Sequence, residues 1–153
     1  MLNLPQTVKC NGEGFSFQFE LLSYDPITTW FDVIVKLIPS PNLDCNTVSS
    51  VPSYFLATDL YCLSSYLNDA MYTGGNSIEN DFVSLELGIQ IHIEEIDEYS
   101  AMIILYANMG TGEFDRLLYI AMKGRFEIDE IRKFTNHLSI EVERTSGISP
   151  GAK

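Results

Sequence analysis

The chain has 153 residues and a formal net charge of −12, with 21 acidic residues against nine Lys and Arg. Residues 1–115 hold 16 of the acids and two bases, whereas residues 116–153 hold five acids and seven bases. A surface this acidic repels phosphate groups and anionic lipid and attracts basic partners, so it argues against nucleic-acid binding and membrane-surface binding.

Length and composition predict one globular domain. A chain of this size can bury a core without a metal or a disulfide, and 46% of its residues are hydrophobic. We expect the domain to cover residues 1–143. The polar residues 144–153, which include Gly, Ser and Pro, predict a disordered C-terminal tail.

The cysteines and the N-terminal residues indicate a reducing compartment. Cysteines are odd in number and show no CxxC spacing, which argues against a disulfide framework or a zinc knuckle; they are Cys10, Cys45 and Cys62. The first residues lack the pattern of a secretory signal. No apolar stretch approaches the roughly 20 residues of a membrane helix. We therefore expect a soluble, cytoplasmic protein with no membrane association.

The first third of the chain predicts two strands. Alternate residues from Phe15 to Phe19 are phenylalanine, which is the period-two pattern of a half-buried strand. Residues 29–38 are rich in β-branched and aromatic side chains and predict a second strand. The dipeptide Asp25-Pro26 predicts the turn between them, and residues 39–52, with three prolines, predict a loop.

An amphipathic helix is predicted over residues 59–72, because leucines recur at helical spacing from Leu60 to Leu67. Thr58 is the predicted N-cap. Gly74-Gly75 is expected to end the helix.

Four more strands and a second helix are predicted after it. The strands are residues 82–87, 89–93, 100–108 and 116–126, with a bend at Gly88, an acidic turn at 94–98 and a hairpin turn at 110–113. The nearly continuous apolar character of residues 100–108 predicts a central strand. Apolar residues at helical spacing from Ile128 to Leu138 predict a helix of about four turns.

The predicted order is β-β-α-β-β-β-β-α. Short connections between consecutive strands imply antiparallel pairing, and two amphipathic helices need an apolar face to cover. The predicted fold class is therefore α+β, with a mainly antiparallel sheet of about six strands covered by the two helices.

No motif indicates catalysis, a cofactor or a metal site. His92 is predicted on the wetter face of its strand and His137 off the apolar stripe of the last helix, and no motif supplies either with a nucleophile. Cys62 is predicted as a buried, inert thiol. Trp30 is predicted as a core or edge anchor, with an interface role as the alternative. We predict a protein that is not an enzyme, with no catalytic residue, metal ligand or cofactor.

Acidic residues in predicted turns are the candidate contacts for a basic partner. The first set is Glu94, Glu95, Asp97 and Glu98, and the second set is Glu79, Asp81, Glu113 and Asp115. Turns near strand ends commonly display binding residues. Because the EF-hand spacing is absent, the two interpretations that remain are a partner-binding patch and solvated loops.

Several segments together resemble a known family. They are the strand at residues 29–31, the lead-in and helix at 52–72, the FVSLEL segment at 82–87, and the closing strand and helix at 117–142. In order and spacing, residues 10–142 resemble the WapI-type immunity proteins of bacterial polymorphic toxins. The chain departs from the family at Leu87, which follows Glu86 where the family usually has proline.

The resemblance implies an immunity protein that neutralises a basic toxin, most simply a nuclease, by covering or distorting it. This agrees with the charge of the chain, since nucleases are cationic where they hold nucleic acid and an acidic inhibitor would use charge complementarity. Two other hypotheses stay open. One is a small-ligand-binding or metabolic enzyme domain with a pocket near His92, and the other is an acidic regulatory or self-associating subunit.

Overall fold

The computed structural model describes residues 4–73, 81–86, 88–110 and 118–151. Over these residues the chain forms two antiparallel sheets and two helices, which confirms the predicted α+β class. The first sheet contains β1 (Gln6–Cys10), β2 (Phe15–Asp25), β3 (Trp30–Pro39), β4 (Val48–Ser49) and β5 (Ser53–Leu56). The second sheet contains β6 (Phe82–Val83), β7 (Ile89–Ile96), β8 (Ser100–Asn108) and β9 (Tyr119–Glu127). The helices are α1 (Ala57–Thr73) and α2 (Ile128–Ser146).

The hairpin of β2 and β3 is the centre of the first sheet. Phe15, Phe17 and Phe19 lie buried on one face of β2 while the residues between them are half-buried, so the predicted alternation is confirmed. The predicted turn joins the two strands. There the Asp25 carboxylate accepts a hydrogen bond from the backbone N–H of Ile27 at 2.8 Å.

The second sheet has the order β6-β7-β8-β9, which confirms residues 100–108 as a central strand. Its inner face carries branched apolar side chains such as Ile91 and Ile103, both fully buried. His92 lies on the opposite face and is half-exposed, as predicted. The sheet therefore has one apolar face and one wetter face.

A phenylalanine cluster joins both sheets to α2. The ring of Phe17 lies 5.3 Å from that of Phe126 in β9 and 5.0 Å from that of Phe134 in α2. The backbones also meet, because Glu13 and Arg125 exchange two hydrogen bonds of 2.8 and 3.0 Å. This bridge holds the β1–β2 turn against β9.

The helices pack against each other through small polar side chains as well as apolar ones. The Thr135 hydroxyl donates to Asn68 Oδ1 at 2.9 Å, and the Ser64 hydroxyl approaches the Thr135 carbonyl at 3.5 Å. Leu67 of α1 and Leu138 of α2 are fully buried in the core. Neither helix has a window long and apolar enough to cross a bilayer.

Several predicted strand boundaries were wrong. The strands β1, β4 and β5 were not predicted; β4 lies inside the predicted loop at 39–52, and all three are short. The strand predicted at 82–87 is reduced to Phe82–Val83, because the chain turns at Leu85 and Glu86. Residue 87 lies outside the described residues, as do most of the turn predicted at 110–113 and the first two residues of the strand predicted at 116–126; the described strand begins at Tyr119.

The acidic turn predicted at residues 94–98 is also shorter than expected. Glu94 and Glu95 belong to β7, where the register with β8 shifts between Ile93 and Glu95. A bulge lets the strand continue through these polar residues, because the ladder resumes with Glu95 opposite Met102.

The boundaries of both helices differ from the predictions. Thr58 is not the N-cap, since α1 already begins at Ala57. The predicted stop at residues 74–75 lies outside the described residues. Helix α2 continues past the boundary predicted before Arg144, ends at Ser146 and is capped by Gly147, whose φ of 71° is the left-handed conformation that glycine adopts easily.

Candidate functional site

A cleft of about 1040 Å³ opens where several parts of the fold meet. Among the described residues, its lining comes from the β1–β2 turn, the last turn of α1, the β7–β8 turn, the end of β9 and the start of α2. The elements meet because α2 follows β9 directly and its first backbone N–H, at Ile128, donates to the carbonyl of Tyr99 at 2.9 Å. We call this the acidic cleft; among the residues that line it are Glu13, Tyr72, Asp97, Glu98, Tyr99, Arg125, Glu127, Asp129, Glu130 and Arg132.

Carboxylates dominate the charge of the acidic cleft. Among the residues that the structure describes, six carboxylates and two arginines line it. Both arginines already have acidic neighbours, since Arg125 lies 3.3 Å from Asp97 and Arg132 lies 3.8 Å from Asp129. Within the described part of the chain, three carboxylates of the cleft form no ion pair with a base; they are Glu13, Glu98 and Glu127. The cleft therefore presents a surplus of negative charge to solvent.

Asp97 organises the β7–β8 turn. Its Oδ1 accepts hydrogen bonds from the backbone N–H groups of Tyr99 and Ser100, both at 2.8 Å. Its Oδ2 accepts the Ser100 hydroxyl at 3.0 Å and the Arg125 guanidinium at 3.3 Å. A side chain that bonds to the backbone two and three residues on is the usual way in which aspartate closes a turn. We call residues 97–100, held in this way, the Asp97 turn.

These hydrogen bonds make the Asp97 turn sensitive to acid. The N–H groups of Tyr99 and Ser100, followed by the Ser100 hydroxyl and the charge of Arg125, lower the pKa of Asp97 below its ordinary value of 3.8. Since the pKa is lower in the folded chain, the carboxylate stabilises the turn fully above pH 3.8 and loses this effect as pH falls through the folded pKa.

We therefore expect the backbone amide chemical shifts of Tyr99 and Ser100 to stay constant from about pH 7 to about pH 5 and to change only in stronger acid. The measurement is an NMR pH titration of the wild-type protein. The Asp97→Asn variant should lack this transition, because its amide does not titrate. A midpoint at or above 3.8 for these two amides would contradict the proposed cause.

The structure divides the first set of predicted contact residues. Asp97 and Glu98 line the acidic cleft, whereas Glu94 and Glu95 do not. Glu94 pairs with Lys123 Nζ at 2.5 Å, and Glu95 lies 3.8 Å from Arg125. The two glutamates on β7 thus face the bases of the same sheet.

Of the second set, only Asp81 can be placed. Glu79, Glu113 and Asp115 lie outside the described residues. Asp81 accepts hydrogen bonds from Gln90 Nε2 at 2.8 Å and lies 2.6 Å from His92 Nδ1. Partial burial raises the pKa of Asp81, but these bonds outweigh it and the pKa is lowered.

Both histidines lie beside carboxylates. Asp81 is the hydrogen-bond partner of His92 within the described residues, so the histidine has an orienting carboxylate, but no hydroxyl or thiol there is bonded to its ring. His92 does not line the acidic cleft. His137 Nε2 lies 3.7 Å from Glu141, one turn along α2.

The thiols differ from one another in burial. Cys62 is exposed, so its predicted burial was wrong; it sits on α1 beside the apolar stripe rather than in it. Cys45 is exposed in the loop before β4. Cys10 is buried, and burial followed by the negative charge of Glu130 raises the pKa of its thiol. A thiol with a raised pKa is a poor nucleophile at neutral pH.

Two tyrosines of the acidic cleft were not singled out from the sequence. Tyr72 in the last turn of α1 is 88% exposed, and Tyr99 in the Asp97 turn is 74% exposed. Tyrosine is one of the residue types enriched among the residues that carry binding energy at interfaces. In the sequence, Tyr99 could be recognised only as an aromatic residue inside an acidic turn, and that position does not predict whether its ring faces solvent or the core.

Trp30, for which an interface role was the alternative prediction, is half-buried outside the cleft, with its ring 6.5 Å from that of Tyr54.

The chemistry of the acidic cleft is that of a binding surface for cations. Its carboxylates attract positive charge, and its exposed rings offer faces to which cations are attracted. In the described part of the chain, no three His, Cys, Asp or Glu side chains converge as metal ligands.

Comparison of the chain with family models, with curated proteins and with solved structures finds no match.

Proposed function

We propose that this protein is an acidic, non-enzymatic binding protein whose acidic cleft receives a basic protein partner. The observation that carries the proposal is the lining of the cleft: over the described residues it contains six carboxylates and two exposed tyrosines, and its arginines already lie beside acidic side chains. The finer proposal, which rests on the family resemblance, is an immunity protein that neutralises a cationic toxin, most simply a nuclease.

Charge complementarity supports this proposal in two ways. A net charge of −12 accelerates encounter with a cationic protein, by about 10- to 1,000-fold at low salt. The same potential disfavours acidic proteins and nucleic acids, so it also selects the partner. A stable complex of this kind buries about 1,200–2,000 Å² in total, so the contact would extend beyond the cleft. Inhibition would follow from covering the cationic surface that a nuclease uses to hold its substrate.

The test begins with affinity capture by the purified protein at about 50 mM and about 500 mM salt, where screening differs strongly. The captured basic protein is then purified, and its nuclease activity is measured against increasing amounts of this chain. Inhibition that is complete at a 1:1 ratio supports the immunity function. A captured protein whose activity is unchanged, or a small metabolite bound in place of any protein, would contradict it.

Reversing charge inside the acidic cleft should weaken the complex. We expect the double variant Glu98→Lys/Glu127→Lys to lose at least about tenfold in affinity, mainly through slower association, because both carboxylates are exposed and form no ion pair in the described residues. The measurement is the association and dissociation rate constants for binding to the immobilised captured partner at low salt.

A matched control carries the same change in charge elsewhere. Asp44 and Asp69 are exposed and lie outside the cleft, so Asp44→Lys/Asp69→Lys should retain most of the affinity. Equal losses in the two double variants would show that net charge alone, and not the acidic cleft, governs binding.

A further inference from the structure

Tyr99 combines an exposed ring with a fixed backbone. Its ring is 74% exposed in the acidic cleft. Its backbone N–H is held by Asp97 Oδ1 at 2.8 Å, and its carbonyl accepts the N–H of Ile128, the first residue of α2, at 2.9 Å. The main chain on both sides of the ring is thus attached to other parts of the fold.

The Asp97 turn is itself attached to the sheet. The Asp97 N–H donates to the Ser100 carbonyl at 2.9 Å, which closes the turn. Arg125 of β9 donates to the Ser100 hydroxyl at 2.9 Å and to Asp97 at 3.3 Å. A ring presented from such a turn loses little conformational entropy on binding, since only its two side-chain torsions are left to fix.

We propose that Tyr99 is the anchor residue of the acidic cleft, that it receives an arginine side chain of the basic partner against its ring face, and that Asp97 is the positioning residue that holds it. This inference rests on the proposed function and adds the recognition element to it. Arginine fits better than lysine because a planar guanidinium stacks on a ring and still bonds to carboxylates in its plane. The cleft carboxylates available for that bond are Glu98, adjacent in sequence, together with Glu127 and Glu13.

The test uses a hexa-arginine peptide as the probe, titrated into the isotope-labelled full chain and followed by NMR. We expect the largest shift changes at amides of the Asp97 turn and the start of α2. Hexa-lysine should bind more weakly at the same amides. Hexa-citrulline, which keeps the planar group but lacks its charge, should give no change.

Substitution of the ring tests the anchor directly. Tyr99→Ala should weaken hexa-arginine binding by about tenfold, within the range that cation–π contacts provide, and Tyr99→Phe should restore most of the loss because it keeps the ring. Tyr54→Ala is the matched control, since Tyr54 is a 56% exposed tyrosine outside the cleft, and it should bind as wild type does. Urea unfolding of each variant checks that the fold is retained.

Two substitutions at Asp97 distinguish the effect of its negative charge from the effect of the hydrogen bonds by which it holds the turn. Both Asp97→Asn and Asp97→Ala remove one negative charge, but only asparagine keeps an oxygen that can accept the N–H groups of Tyr99 and Ser100. We expect alanine to weaken binding several-fold more than asparagine. In a Tyr99→Ala background this difference between the two substitutions should disappear, because the turn acts through the ring.

The outcomes distinguish this inference from the proposed function. If hexa-arginine shifts the amides of the cleft but Tyr99→Ala binds as tightly as wild type, the anchor is overturned while the acidic cleft still stands as a binding site. Equal binding by the two Asp97 variants would overturn the positioning role. If hexa-arginine leaves the cleft amides unchanged or shifts residues throughout the surface equally, both proposals fail.

Discussion

Replacing Phe17 with alanine should lower the free energy of unfolding by about 3–5 kcal/mol, because it leaves a large cavity in the middle of the core. The side chain is 1% exposed. Its ring lies 5.3 Å from Phe126, 5.0 Å from Phe134 and 6.2 Å from Phe19, so one side chain contacts both sheets and α2. Equilibrium unfolding in urea measures the change.

Two further variants serve as comparisons for the loss in free energy of unfolding that is expected for Phe17→Ala. Phe17→Leu keeps much of the volume and should cost less than about half as much. Ile27→Ala removes an apolar side chain that is 90% exposed in the β2–β3 turn, and it should change the free energy of unfolding by no more than about 0.5 kcal/mol. Similar losses for Phe17→Ala and Ile27→Ala would refute the central position of this phenylalanine cluster.

Gly124→Ala should be the most damaging small substitution on the second sheet, with an expected cost of about 3 kcal/mol from overpacking. A Cβ at this position would lie 2.5 Å from the backbone carbonyl oxygen of Glu13 and 2.8 Å from the ring of Phe15. The carbonyl cannot move away freely, because it accepts the N–H of Arg125 at 3.0 Å. The substitution should therefore break the bridge between the β1–β2 turn and β9.

Hydrogen exchange of the Glu13 and Arg125 amides tests this explanation together with urea unfolding. Both amides should exchange faster in Gly124→Ala. Gly147→Ala serves as the comparison, since its Cβ would meet nothing within 4 Å but its φ is +71°, and it should cost only about 1–2 kcal/mol through backbone strain. In Gly147→Ala, the exchange rates of the Glu13 and Arg125 amides should be unchanged. If Gly124→Ala changed neither these exchange rates nor the free energy of unfolding, the bridge would accommodate the added methyl group and the explanation would be wrong.

Local patterns predicted the elements that bury a whole face. The phenylalanines from Phe15 to Phe19 and the apolar run at residues 100–108 were recognisable because a strand buried on one face shows alternating apolar residues and a central strand shows a continuous apolar run. The strands β4 and β5 have two and four residues, too few to show a period. They form because β3 offers them a pairing edge, which no local pattern records.

The candidate site was only partly predictable for a related reason. Asp97 and Glu98 were singled out as acids in a turn, and both line the acidic cleft. Glu94 and Glu95 follow the same local pattern, yet they continue β7 and face Lys123 and Arg125 across the sheet. Which acids are neutralised depends on bases about 30 residues away in sequence.

The sequence by itself determined the sign of the surface charge, the α+β class and the faces that form the core, since these depend on composition and on local periodicity. Only the tertiary structure decided which charges remain unpaired and where they gather. The Glu13–Arg125 bridge and the Tyr99–Ile128 hydrogen bond bring the β1–β2 turn and the β7–β8 turn to the junction of β9 and α2, where the acidic cleft lies. Contacts of this kind join residues about 30 to more than 100 positions apart, and the pairing energy that selects them is a property of the folded chain rather than of any one segment.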